Sequence, residues 1–235
     1  MNELLFFGFL IIYFTTALLV YRFWQREGIL LLFVLSIIIC NLQVVKQVTL
    51  FGLQATLGNI AYGMTFWTTD LLAEVHGKKE ARRAVIFGFV ALVLFTFSMR
   101  YALFFRPGPE DWAQEHLTAI FAFLPRIVLA SYAAYLVSQF HDIWLFHLLK
   151  QSFRGRHLWL RNNVSTSISQ LLDTLIFVSI AFIGVFSWSV LWQIYLTTWV
   201  LKVFVAILDT PFIYLATRWR WITANVEPNP GKSGS

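Results

Sequence analysis

Hydrophobic residues run through this chain in long blocks separated by short polar breaks. An α-helix rises 1.5 Å per residue, so roughly 20 apolar residues cross the hydrocarbon layer of a bilayer. Seven blocks reach that length, over residues 3–21, 28–50, 56–74, 83–105, 117–141, 162–185 and 190–217. The fifth is expected to continue past the membrane toward Lys150 as an amphipathic extension. The first has no basic stretch ahead of it and no small-residue cleavage site, which predicts a retained helix and not a signal peptide. The pattern predicts an all-α integral membrane protein with seven transmembrane helices. The stretch after Trp221, rich in Pro, Gly and Ser, predicts a disordered tail.

Composition strengthens this picture. Only 13% of the 235 residues are charged, whereas 58% are hydrophobic. A soluble domain needs roughly a quarter of its residues charged to cover its surface, so much of this surface must face lipid. The 24 Phe and 10 Trp fit hydrocarbon and headgroup regions better than one soluble core. A net charge of +6 would suggest nucleic acid in a soluble chain. Here the basic residues sit in connectors, so no nucleic-acid partner is expected, and membrane lipid is. The lone cysteine, Cys40, excludes an internal disulfide framework.

The connectors also encode orientation. Arg22 and Arg26, then Lys78, Lys79, Arg82 and Arg83, then Lys150, Arg154, Arg156 and Arg161, and finally Arg218, Arg220 and Lys232 all fall on one side. The alternate side holds Lys46, Arg100 and Arg106, while Arg126 and Lys202 fall inside spans. Basic connectors stay in the cytoplasm. The N-terminus is therefore expected outside and the C-terminus inside, which an odd number of spans permits.

Polar side chains inside spans carry the candidate chemistry, because each charge at mid-bilayer costs about 2.5–3.5 kcal/mol on insertion scales. Asn41, Gln43, Lys46 and Gln47 lie in the second block; Trp67, Asp70 and Glu74 lie in the third at spacings of three and four. Arg126 opens the fifth, with Gln139, His141 and Asp142 near its end. Ser165, Ser169, Gln170 and Asp173 mark the sixth, and Lys202 and Asp209 the seventh. Pairing such as Asp173 with Lys202, or Asp70 with Arg126, would make some of these groups purely structural. Taken together, acids, bases, amides and a Trp on five helices can be satisfied only around a shared interior, the signature of a binding site or pathway. That donor and acceptor set suits a flat polar heterocycle bearing N–H groups. No HExxH, GxSxG or Walker A motif occurs, and no two of the five His are four apart. Neither an enzyme, a metal site nor a cofactor is expected.

Thr65-Phe-Trp-Thr-Thr-Asp70-Leu-Leu-Ala-Glu74-Val-His-Gly77, followed by Ala81-Arg82-Arg83, resembles the bacterial queuosine precursor transporter family, also called vitamin-uptake-transporter-like. Arg126 to Ser131, Ser165 to Asp173-Thr174, and Lys202 to Asp209-Thr210-Pro211 agree in order and approximate spacing. The resemblance implies a multi-pass protein of the bacterial cytoplasmic membrane that imports 7-deazaguanines (preQ0, preQ1 or queuine) for salvage into tRNA. It implies a six-helix core over 28–217, similar to the substrate-binding S-components of energy-coupling-factor transporters. Residues 1–27 would add an extra helix, and 218–235 a cytoplasmic tail. Carried over by position, the implied substrate-binding residues are Asn41, Trp67, Asp70, Glu74, Arg126, Gln170, Asp173 and Lys202. In that scheme Asp70 and Glu74 accept from the ligand's exocyclic amine and ring N–H, and Asn41 and Gln170 pair with its carbonyl or ring nitrogens. Trp67 stacks on its face, while Arg126 and Lys202 balance the buried acids. A homodimer is compatible with this scheme. The alternative is a subunit for another vitamin that depends on a separate ATPase module, docking through small residues such as Ala130 and Ala134.

Overall fold

The computed structural model describes residues 1–152 and 158–226. Helix α1 (Asn2–Gln43) contains the first apolar block and most of the second, interrupted at Gln25, whose backbone (φ 43°, ψ −119°) is not helical. The two segments fold back on each other, since Tyr13 and Ser36 hydrogen-bond at 3.1 Å from positions almost symmetric about the break. Gly28 makes the tight fold possible, because a Cβ there would lie 2.8 Å from the carbonyl oxygen of Val20. Arg26, just past the break, is bound by Glu80 at 2.6 Å, tying this bend to the start of the helix that begins at Lys78.

After α1 come strands β1 (Gln47–Leu50) and β2 (Leu53–Thr56), then helices α2 (Asn59–His76), α3 (Lys78–Ala102) and α4 (Gln114–Phe121). Helices α5 (Leu124–Ser152), α6 (Leu158–Phe182) and α7 (Trp188–Val226) complete the described chain. Among the described residues, four helical stretches are long and apolar enough to cross a membrane: Asn2–Gln43, Lys79–Ala102, Gln114–Ser138 and Trp188–Val205. Large apolar side chains such as Ile86, Val90, Val93, Leu94 and Phe97 on α3 are exposed, as a lipid-facing helix requires. This is a mostly helical, multi-pass membrane protein.

The block expected as one helix over 28–50 is corrected here. Helix α1 stops at Gln43, and 47–56 form an antiparallel hairpin with Leu50 opposite Leu53. Phe51 and Gly52 form the turn, both at positive φ (51° and 78°), the geometry two-residue hairpins favour. The hairpin is fastened at both sides. Asn2 Nδ2 donates to Thr49 O at 2.9 Å, and the Phe51 N–H donates to Glu3 Oε1 at 3.0 Å. Gln54 bonds α7 twice, its N–H to Gln193 Oε1 and its carbonyl from Thr197 Oγ1, both at 2.9 Å. The fifth block also differs, being divided into α4 and α5 around Ala122 and Phe123, with Pro125 tolerated in the first turn of α5. Helix α7 runs on to Val226, past the expected end at 217, and carries Pro211 inside it. The remainder of the expected tail, 227–235, lies outside the described residues.

Helices α5 and α6 pack along one another and are stitched at three levels. Arg126 on α5 donates from Nε to Ile180 O and from a guanidinium nitrogen to Ile183 O, both at 2.6 Å. Ser138 reaches Asp173 at 3.4 Å, and His141 meets Ser169 at 3.3 Å. Helices α1, α2, α3 and α7 form the other side, closed around Phe14, Trp67, Met64 and Leu71.

Candidate functional site

Between these two groups lies a cavity of about 320 Å³, lined from α1, α2, α3, α5, α6 and α7. That volume falls at the lower end of the range of small-molecule sites. Helix α2 supplies its longest wall through Asn59, Tyr62, Phe66, Thr69, Asp70 and Ala73, a stripe at three- and four-residue spacing. The hydroxyls of Thr65 and Thr69 bond carbonyls of their own helix, so they line the wall without unmet demand. Phe33, Phe66, Phe89, Tyr135 and Phe177 give the cavity aromatic surfaces from five helices.

One end is closed and cross-linked. Asp173 is 4% exposed and Lys202 8%. Lys202 Nζ donates to Asp173 Oδ2, which also accepts from Tyr62 Oη at 3.0 Å. The same ammonium lies 4.2 Å from the centre of the Tyr62 ring, a cation–π contact. One carboxylate thus joins α2, α6 and α7, with Ser138 adding α5. Nearby, Ser131 Oγ donates to Asn41 Oδ1 at 2.6 Å, and Asn41 Nδ2 donates to Ile37 O at 2.7 Å. Asn59 Nδ2 donates to Thr56 O at 3.2 Å, linking this end to the hairpin. Thr198 Oγ1, also on the wall, is buried without a hydrogen-bond partner among the described residues. An unmet buried hydroxyl costs about 1–3 kcal/mol, which a bound polar ligand would relieve.

The other end is open. Asp70 on α2 and Arg82 on α3 both line it, and both are exposed. Among the described residues neither makes an ion pair.

The structure thus gathers Asn41, Asp70, Asp173 and Lys202 around one cavity. It leaves the other four implied residues outside the lining. Trp67 is fully buried on the flank of α2 turned toward α1, edge-on to Phe14 at 6.2 Å. Glu74 lies on that same flank near the helix end, exposed. Arg126 does not meet Asp70, and its guanidinium instead satisfies carbonyls at the C-terminal end of α6. Gln170 sits on α6 off the wall, and nothing in the described residues explains the unpartnered Gln170 Oε1 or Trp67 Nε1. Ala130 and Ala134 are buried, so their spacing offers no free docking face. Of the remaining span residues, the side chains of Gln139, Asp142, Ser165 and Asp209 lie outside those described. Tyr62, Asn59 and Thr198 were not anticipated, although stepping back from Asp70 by fours along α2 reaches Phe66 and Tyr62. The described residues contain no His, Cys, Asp and Glu cluster able to hold a metal ion.

Comparison with known proteins bears on what fills this cavity. Residues 56–216 match the family model described as "Putative vitamin uptake transporter". A protein of Bacillus subtilis (strain 168), "Probable queuosine precursor transporter", is 42% identical over 89% of this chain and 92% of its own length. The "Queuosine precursor transporter" of Escherichia coli (strain K12) is 30% identical over 60% of this chain and 62% of its own. A "Probable queuosine precursor transporter" of Haemophilus influenzae is 31% identical, over 56% and 54% respectively. No solved structure matches the chain.

Proposed function

Because this chain belongs to the vitamin-uptake-transporter family and is 42% identical to a probable queuosine precursor transporter, we propose that it imports 7-deazaguanine precursors of queuosine. The chain is a transporter of a small molecule and not an enzyme. In this proposal it crosses the bacterial cytoplasmic membrane seven times, with two crossings in α1, one in α4–α5 and the rest in α2, α3, α6 and α7. The N-terminus is outside, the C-terminus is cytoplasmic, and the cavity opens at Asp70 toward the cytoplasm.

The observation that carries this reading is a cavity with aromatic walls and a polar closed end, in a chain that aligns almost end to end with a transporter of that name. Its chemistry fits the ligand. A 7-deazaguanine is flat, with a lactam, an exocyclic amine and a pyrrole N–H. Aromatic walls from Phe66, Phe89, Tyr135 and Phe177 take the stacking role first expected of Trp67. Asn41, Asn59 and Thr198 offer neutral donors and acceptors to the lactam edge. The Asp173–Lys202–Tyr62 cluster holds four helices in place around them.

The test is restoration of queuosine in tRNA. Bacteria unable to synthesise or import the precursors would express this chain on low external preQ0, preQ1 or queuine. Queuosine should return with the wild type and be lost with the Asn41→Ala/Asn59→Ala double variant present at equal level in the membrane. Wild type present in the membrane without restored queuosine on any of the three precursors would exclude the assignment.

A further inference from the structure

The two ends of the cavity differ in how their charges are held. At the closed end the positive and negative charges cancel, because Lys202 rests on Asp173. What remains there for a ligand is neutral: the amides of Asn41 and Asn59, the unpartnered hydroxyl of Thr198, and aromatic faces. At the open end Asp70 has no hydrogen-bond or ion-pair partner among the described residues. Arg82 lines the same mouth but does not pair with it, so neither charge neutralises the other. Asn59 and Asp70 lie about 16 Å apart along α2, at 1.5 Å per residue. A fused bicyclic ring is shorter than that. A ring seated against the neutral end can reach Asp70 only through a substituent.

Resting on the reading of the cavity as a 7-deazaguanine site, we propose that Asp70 is its specificity-determining residue, selecting ligands whose 7-substituent is a cationic amine. This replaces the expectation that Asp70 reads the ring N–H and exocyclic amine, groups that every candidate ligand shares. An ammonium beside an unpaired carboxylate makes a charge-assisted hydrogen bond, roughly twice as strong as a neutral one. The uncharged nitrile of preQ0 has no proton to donate there. The guanidinium of Arg82 acts in the opposite sense, opposing the cation at the mouth.

Competition binding to the purified full chain in lipid nanodiscs tests this, with labelled preQ1 as probe. The competitors are preQ1, its N-acetylated form, which keeps the ring but loses the charge, and preQ0, which is smaller and uncharged. Wild type should prefer preQ1 over both neutral ligands by about tenfold or more, equivalent to about 1.4 kcal/mol. Asp70→Asn should collapse that ratio toward one, and Arg82→Gln should widen it. Equal wild-type affinity for charged and neutral ligands would overturn the proposal, and so would a ratio unchanged in Asp70→Asn. The wild-type comparison stands even if Asp70→Asn does not fold. Folded wild type that binds none of the three ligands contradicts the transport assignment itself, which separates that failure from failure of the selectivity.

Discussion

The closed and open ends of the cavity use the same residue types to opposite effect. Asp173 and Asp70 are both carboxylates in the cavity wall, yet Asp173 is held by Lys202, Tyr62 and Ser138, whereas Asp70 has no partner among the described residues. A buried charge that is fully paired fixes helix positions and has little capacity left for a ligand. An unpaired charge at a mouth contributes little to the fold and remains available. Position in the membrane alone does not identify a binding residue; the state of its partners does.

The comparison can be broken most forcefully at Lys202. Lys202→Met leaves the Asp173 carboxylate buried and uncompensated, which should cost about 3–5 kcal/mol. Thermal unfolding in detergent would report it as a large loss of stability. Adding Asp173→Asn should recover much of that loss. If Lys202→Met unfolds at the wild-type temperature, the closed end is not a structural junction. Arg126→Met comes next, removing charged donors from the carbonyls of Ile180 and Ile183. A loss of about 1.5–3 kcal/mol is expected in the same assay, with ligand selectivity unchanged. Ser131→Ala should cost less, about 1 kcal/mol, and a double-mutant cycle with Asn41→Ala should show the two effects to be coupled. The smallest effect is expected for Glu74→Gln, which alters an exposed side chain off the cavity wall. Precursor uptake in cells should stay within about twofold of wild type, against about tenfold per 1.4 kcal/mol for a direct contact.

The parts of this arrangement legible in the sequence are those the membrane makes costly. Asp173 and Lys202 stand out because opposite charges within apolar blocks demand each other, and the structure pairs them. The spacing of Trp67, Asp70 and Glu74 predicts one shared face of α2, yet only Asp70 lines the cavity. Spacing cannot say which flank of Asp70 the cavity occupies, and it occupies the flank of Tyr62 and Phe66. Tyr62 is not singled out, and Ser131 enters only as the end of a matching stretch, because neutral hydroxyls in a helix carry no such cost. The hairpin was hidden for a related reason. Val48, Leu50 and Leu53 read as apolar whether helical or extended, and only Gly52 hinted at a turn. Arg126 was read as a counter-charge because nothing local shows that its guanidinium reaches the end of another helix.

The most direct measurement is uptake of labelled preQ1 into proteoliposomes carrying the purified chain, compared with the Asn41→Ala/Asn59→Ala variant and with empty liposomes. Transport through the described cavity predicts entry with the wild type, saturable by unlabelled precursor and reduced at least about tenfold in the variant. Entry no faster than into empty liposomes, with the chain folded and inserted, would contradict it.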